Sequence, residues 1–112
     1  MPDKKKQISI DVTLDENNVP ETIDWQATDE PTDRQNDIRA MMLSFWDARS
    51  KDTLRLDLWT KKMTVDEMKI FFHQTLVTMA DSLEKSINDE RISGDMRDFC
   101  DYFADRMEIK ED

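Results

Sequence analysis

Residues 40–87 read AMMLSFWDARSKDTLRLDLWTKKMTVDEMKIFFHQTLVTMADSLEKSI, and the way this stretch folds decides the rest. Its first half alternates. Drawn as an extended chain, Ala40, Met42 and Trp46 fall on one side, and Met41, Leu43 and Phe45 on the other. After the polar turn Asp47–Asp52, Leu54, Leu56 and Leu58 share one side, while Arg55, Asp57 and Trp59 share the other. Ala and Met also favour helix, so 38–47 has a rival helical reading. The hairpin-like symmetry with 53–59 favours two strands. A strand apolar on both sides is normally covered on both, and one layer of helices covers only one side of a small sheet. The other side then needs a partner subunit, a client segment or the chain's own loops.

The second half is helical. Thr64 can cap the amide of Glu67 while the Glu67 carboxylate reaches back, a capping box flanked by Met63 and Met68. Asp66 and Glu67 suit the positive end of the helix dipole. Val65, Met68, Phe72, Leu76, Met79, Leu83 and Ile87 then recur as one apolar stripe. Ile70 and Val77 lie off that stripe, where a second helix could sit.

Upstream, Ile8, Ile10, Val12 and Leu14 alternate with polar residues, which marks a strand with one buried face. Asp15–Asn18 is a turn, because Asp and Asn bond local backbone and tolerate left-handed angles. Ile23, Trp25 and Ala27 resume the alternation, with Pro20 at the strand entry. Residues 28–37, TDEPTDRQND, read as an exposed connector, and residues 1–6 as a polar tail. Downstream, Asn88-Asp89 breaks the first helix. A second helix is expected from Asp89 or Ser93 to about Ile109, with Met96, Phe99, Cys100, Phe103 and Met107 on its stripe.

The chain's 112 residues amount to one domain's worth, 1–112, with sheet over 7–59 and helices over 64–87 and 89–109. Sixteen basic residues against 26 acidic ones leave a net charge of −10. That charge repels nucleic-acid phosphate and anionic lipid headgroups, and it steers basic partners toward the chain. A single cysteine, Cys100, excludes an intrachain disulfide and suits a reducing compartment. No apolar run follows the opening KKK, so no leader is expected, and none is long enough to insert in a membrane. The cytoplasm is the default location.

Little reactive chemistry is in reach. His73 has no histidine partner at i+4, only Lys69 and Val77 on either side. Cys100 lies on an apolar stripe and reads as a small buried hydrophobe. Asp98, Asp101 and Asp105 alternate with Arg97 and Arg106 on a solvated helix side. One glycine, Gly94, cannot build a phosphate-cradling loop. No catalytic, cofactor or metal set is expected, and the chain reads as a non-enzyme. Met-rich, tryptophan-flanked strands suit instead an adaptable protein-binding surface.

The runs AMMLSFWD, TLRLDLWTKKMTVDEMKIFFHQTLVTMAD and MRDFCDYFAD, with the opening DVTLDENNVPETIDW, closely resemble the gliding motility-associated GldC family of small bacterial proteins. The resemblance covers about Ile8 to Met107. It implies a cytoplasmic accessory protein of surface gliding and its linked secretion machinery, and it brings no catalytic residues. The strand and helix order is also similar to that of SecB-type export chaperones, so a holdase for unfolded export clients is the alternative.

The expected fold is α+β: a four-stranded antiparallel meander followed by two helices packed on one face, in SecB-like order. The expected activity is docking to a protein partner of the gliding and secretion machinery through Met41, Leu43, Phe45 and Trp59, and the chain is expected to be a homo-oligomer, a dimer.

Overall fold

In the computed structural model, the alternating stretches are strands and the striped ones are helices. The structure describes residues 4–29 and 36–109. Most of the connector expected over 28–37, the first residues of the opening tail and the last three residues lie outside them. The chain divides into two compact units, Met1–Met63 and Thr64–Asp112.

The first unit holds four strands: β1 (Ile8–Leu14), β2 (Pro20–Ala27), β3 (Ala40–Asp47) and β4 (Asp52–Trp59). The stretch with two readings, 38–47, is therefore strand. β1 and β2 pair antiparallel, with Ile8 opposite Ala27, Ile10 opposite Trp25 and Val12 opposite Ile23. These six share one face, as the alternation requires. The turn is set by Asp15, whose carboxylate accepts the Asn17 and Val19 amides at 2.8 and 3.0 Å. Asn18 takes the left-handed angle, φ 63°.

The four strands do not form one meander. β1 pairs with β2 and β3 with β4, in two separate sheets, and an isolated bridge between Ile23 and Ile38 joins the hairpins. The register explains the break. With Ile38 opposite Ile23, Ala40 falls level with Glu21, so β3 begins almost where β2 starts and runs on past it. One backbone bond reinforces the joint: Lys61 N–H donates to Pro20 O at 3.1 Å. The Lys61 ammonium also reaches Asp15 at 3.1 Å and Glu21 at 3.6 Å.

The second unit is a helical hairpin of α1 (Val65–Ile87) and α2 (Glu90–Arg106). The Thr64–Glu67 capping box is present in both directions. Asn88, at φ 62°, closes α1, and the Asp89 carboxylate accepts from the Arg91 and Ile92 amides to open α2. Two residues thus reverse the chain. α2 stops at Arg106 rather than near Ile109. Glu108 is left-handed at φ 57°, and Ile109 N–H returns to Ala104 O at 2.9 Å while Glu108 N–H returns to Asp105 O. That is a Schellman termination without its usual glycine.

α2 does not seat on the middle of the α1 stripe. The seam uses small residues, Ala80 of α1 and Ser93 and Cys100 of α2, all buried. Beside them His73 stacks on Phe103, with ring centroids 6.2 Å apart, and Arg97 bridges Asp81 and Glu84. Counting 3.6 residues per turn, His73, Ala80 and Glu84 lie about a quarter turn from the centre of the stripe. Val65, Phe72, Met79 and Ile87 are left exposed.

Two measurements test this account. A Cβ at Gly94 would meet no atom within 4 Å, so Gly94→Ala should raise the stability of α2 by roughly 1 kcal/mol in urea unfolding. The Val19 amide, then the Lys61 ammonium, hold the Asp15 carboxyl below its ordinary 3.8. Its stabilising contribution is complete above that ordinary value and is lost as pH falls through the depressed one. Asp15→Asn should therefore flatten the acid limb of stability against pH.

Candidate functional site

The β3–β4 hairpin is the candidate site, and its turn fixes its faces. Lys51, at φ 59°, donates its amide to Asp47 O at 2.8 Å, and the Asp47 carboxylate accepts the Arg49 amide at 3.0 Å. That bond, first among its causes, holds the Asp47 carboxyl below the usual range. A four-residue loop so closed puts Asp47 opposite Asp52. The ladder then runs Phe45 to Leu54, Leu43 to Leu56 and Met41 to Leu58.

Directly opposed residues of an antiparallel pair share a face. One face of the hairpin is therefore Met41, Leu43, Phe45, Leu54, Leu56 and Leu58, with no polar side chain among them. The other carries Ala40 opposite Trp59, Met42 opposite Asp57, Ser44 opposite Arg55 and Trp46 opposite Thr53. There the Arg55 guanidinium pairs with the Asp57 carboxylate at 2.9 Å, between two tryptophans.

This sorts the four sequence-derived residues. Met41, Leu43 and Phe45 lie together on the aliphatic face. Trp59 lies on the opposite one, with Trp46, so the four are not a single surface. Leu54, Leu56 and Leu58 belong to the site through their cross-strand partners. Their signal was the register implied by the turn, which alternation within one strand does not reveal.

Exposure is graded along the aliphatic face. Near the turn Phe45, Leu54 and Leu56 are 59, 54 and 51% exposed, while Met41, Leu43 and Leu58 are half-buried. Beyond them the pairing continues to Arg39 and Thr60, and Thr60 is buried. The Thr60 hydroxyl has no hydrogen-bond partner among the described residues. On the other face Trp46 and Trp59 are 67 and 57% exposed.

His73 and Cys100 both pack within the helical hairpin. His73 stacks on Phe103. Burial, then the Asp101 charge, push the Cys100 thiol up, the opposite of what activates a nucleophile. Among the described residues, no group of three or more His, Cys, Asp or Glu could hold a metal ion. No helix among them is long and apolar enough to cross a membrane.

A buried hydroxyl without a partner costs about 1–3 kcal/mol of desolvation. Thr60→Val keeps the shape and removes that cost, so it should raise the urea midpoint by an amount corresponding to roughly 1 kcal/mol. A lowered midpoint would show that the hydroxyl is bonded.

A family model described as gliding motility-associated protein GldC-like matches residues 20–109. No curated protein and no solved structure matches the chain.

Proposed function

Because the chain belongs to the GldC-like family of gliding motility-associated proteins, we propose that it serves bacterial surface gliding and the linked secretion machinery as a non-enzymatic accessory protein. It acts by docking to other protein chains through the β3–β4 hairpin. One observation carries this: a regular, hydrogen-bonded hairpin holds large apolar side chains open on both of its faces. Exposed apolar patches of this kind mark interaction sites. Cysteine usage, a single buried thiol, supports a cytoplasmic setting.

The test is complementation in a gliding bacterium lacking its own copy. Phe45→Asp and Trp59→Asp should fold, as judged by circular dichroism, yet fail to restore spreading and fail to retain a gliding or secretion component in pull-down. His73→Ala and Cys100→Ala should restore both. Full function of the two hairpin variants, or loss of function in folded His73 and Cys100 variants, would refute the proposal.

A further inference from the structure

We propose that the outer edge of β4 takes up an extended segment of another protein as a further strand, and that this segment alternates apolar with basic residues. The inference rests on the docking function just given and names how a partner chain is held.

The ladder shows which backbone groups face outward. Thr60 N–H donates to Arg39 O at 2.7 Å, one step beyond the Ala40–Trp59 pair, so Arg39 and Thr60 form a hydrogen-bonded pair. In an antiparallel ladder such pairs alternate with pairs that exchange no bonds. Ala40–Trp59, Met42–Asp57, Ser44–Arg55 and Trp46–Thr53 are of the second kind. The N–H and C=O of Thr53, Arg55, Asp57 and Trp59 therefore point away from β3. Among the described residues β4 pairs with β3 alone, so this row meets no strand. What matches a row of alternating backbone donors and acceptors is another extended chain.

This edge differs from the others in being left open. Edge strands are ordinarily blunted by a proline, a bulge or a lysine. β2 starts at Pro20, and the β1 register shifts between Thr13 and Leu14. The outer side of β3 is met at its start by β2, through the Ile23–Ile38 bridge. β4, DTLRLDLW, has no proline or lysine, keeps one register from Asp52 to Trp59 and is exposed at every residue but Leu58. Its Arg55 and Asp57 pair with each other at 2.9 Å, which neutralises the middle of the strand. A two-stranded hairpin is marginal in water, and a third strand supplies what it lacks.

Side chains set the class of segment. On an added strand, every second residue extends the apolar row of Leu54, Leu56 and Leu58. The residues between them lie beside Thr53, Arg55, Asp57 and Trp59. A period-two sequence satisfies both sides. The net charge of −10 repels an acidic segment, a second copy of this chain included, and attracts a basic one. A lysine or arginine set between Asp57 and the exposed Trp59 would meet a carboxylate and an indole face.

The probe is a short synthetic peptide alternating valine and lysine, and the readout is residue-by-residue backbone amide exchange in the purified full chain. In the free chain the Arg55 and Asp57 amides should exchange faster than those of Leu54, Leu56 and Leu58. The alternating peptide should slow Arg55 and Asp57 by about fivefold or more, the scale of one net backbone hydrogen bond. A peptide of the same composition with valines and lysines in separate blocks should not. Arg55→Pro removes an outward N–H and spares the bonds to β3. It should fold, yet lose the protection at Asp57 and fail to restore spreading in the gliding bacterium. Ile8→Pro, at an outward position of β1, should keep both. If Arg55→Pro does not fold, the exchange pattern of the unaltered chain decides. Peptide binding without slowing at Arg55 and Asp57, equal slowing by the block peptide, or no slowing at any peptide concentration overturns the inference. Arg55 and Asp57 amides that become protected as the free chain is concentrated assign the edge to a second copy and overturn it too. A folded Arg55→Pro that restores spreading, beside a Phe45→Asp that does not, overturns the strand addition and leaves the docking function standing.

Discussion

The register of β3 against β4 is the constraint on which the rest depends. Alternation within each strand puts three large apolar side chains on a side, but only pairing decides whether the two sets meet. With Asp47 opposite Asp52 they do, in three rows from Phe45–Leu54 to Met41–Leu58. A slip of one residue would set Arg55 and Asp57 beside Leu43 and Phe45 and dissolve the apolar face. The turn prevents this. Its left-handed Lys51 and the Asp47 carboxylate bonded to the Arg49 amide admit one loop length.

Local signals carried much of the fold into the sequence. Period-2 alternation marked all four strands, and Thr64 with Glu67 marked the start of α1 to the residue. Asn88-Asp89 marked the reversal between helices. Non-local placement was less legible. That the two hairpins meet at the Ile23–Ile38 bridge instead of sharing a ladder depends on a register across a long connector, which no neighbouring residues encode. The seam between α1 and α2 follows small residues, Ala80, Ser93 and Cys100, rather than the large ones that define the stripe. Close approach of two helices is set by what is missing from their surfaces as much as by what is apolar. The site was half legible for the same reason: Met41, Leu43 and Phe45 share a strand, whereas Leu54 and Leu56 join them only across the ladder.

Electrostatics organises this chain at its joints. Lys61 ties the end of β4 to Asp15 in the first turn and to Glu21 at the start of β2. Arg97 ties α2 to both Asp81 and Glu84. All four carboxylates belong to a large acidic excess, so each bridging cation also relieves repulsion among its neighbours. Exposed ion pairs contribute little individually. These two fix which residues meet in places where little apolar surface is buried.

The placement of the three indoles has a spectroscopic consequence. Trp25, Trp46 and Trp59 all lie in the first unit, and the last two are largely solvated. Exposed indoles emit close to indole in water, so denaturant should change the Trp46 and Trp59 signal little, and half-buried Trp25 should carry most of any unfolding change. The exposed pair responds instead when a surface covers the hairpin. The helical unit, whose described fluorophore is the exposed Tyr102, is nearly silent in that channel. Its integrity is read through Cys100, since a thiol sealed in the helix seam reacts with an alkylating reagent only when the seam opens. One chain thus carries two reporters that do not interfere, an optical one for docking and a chemical one for helix opening.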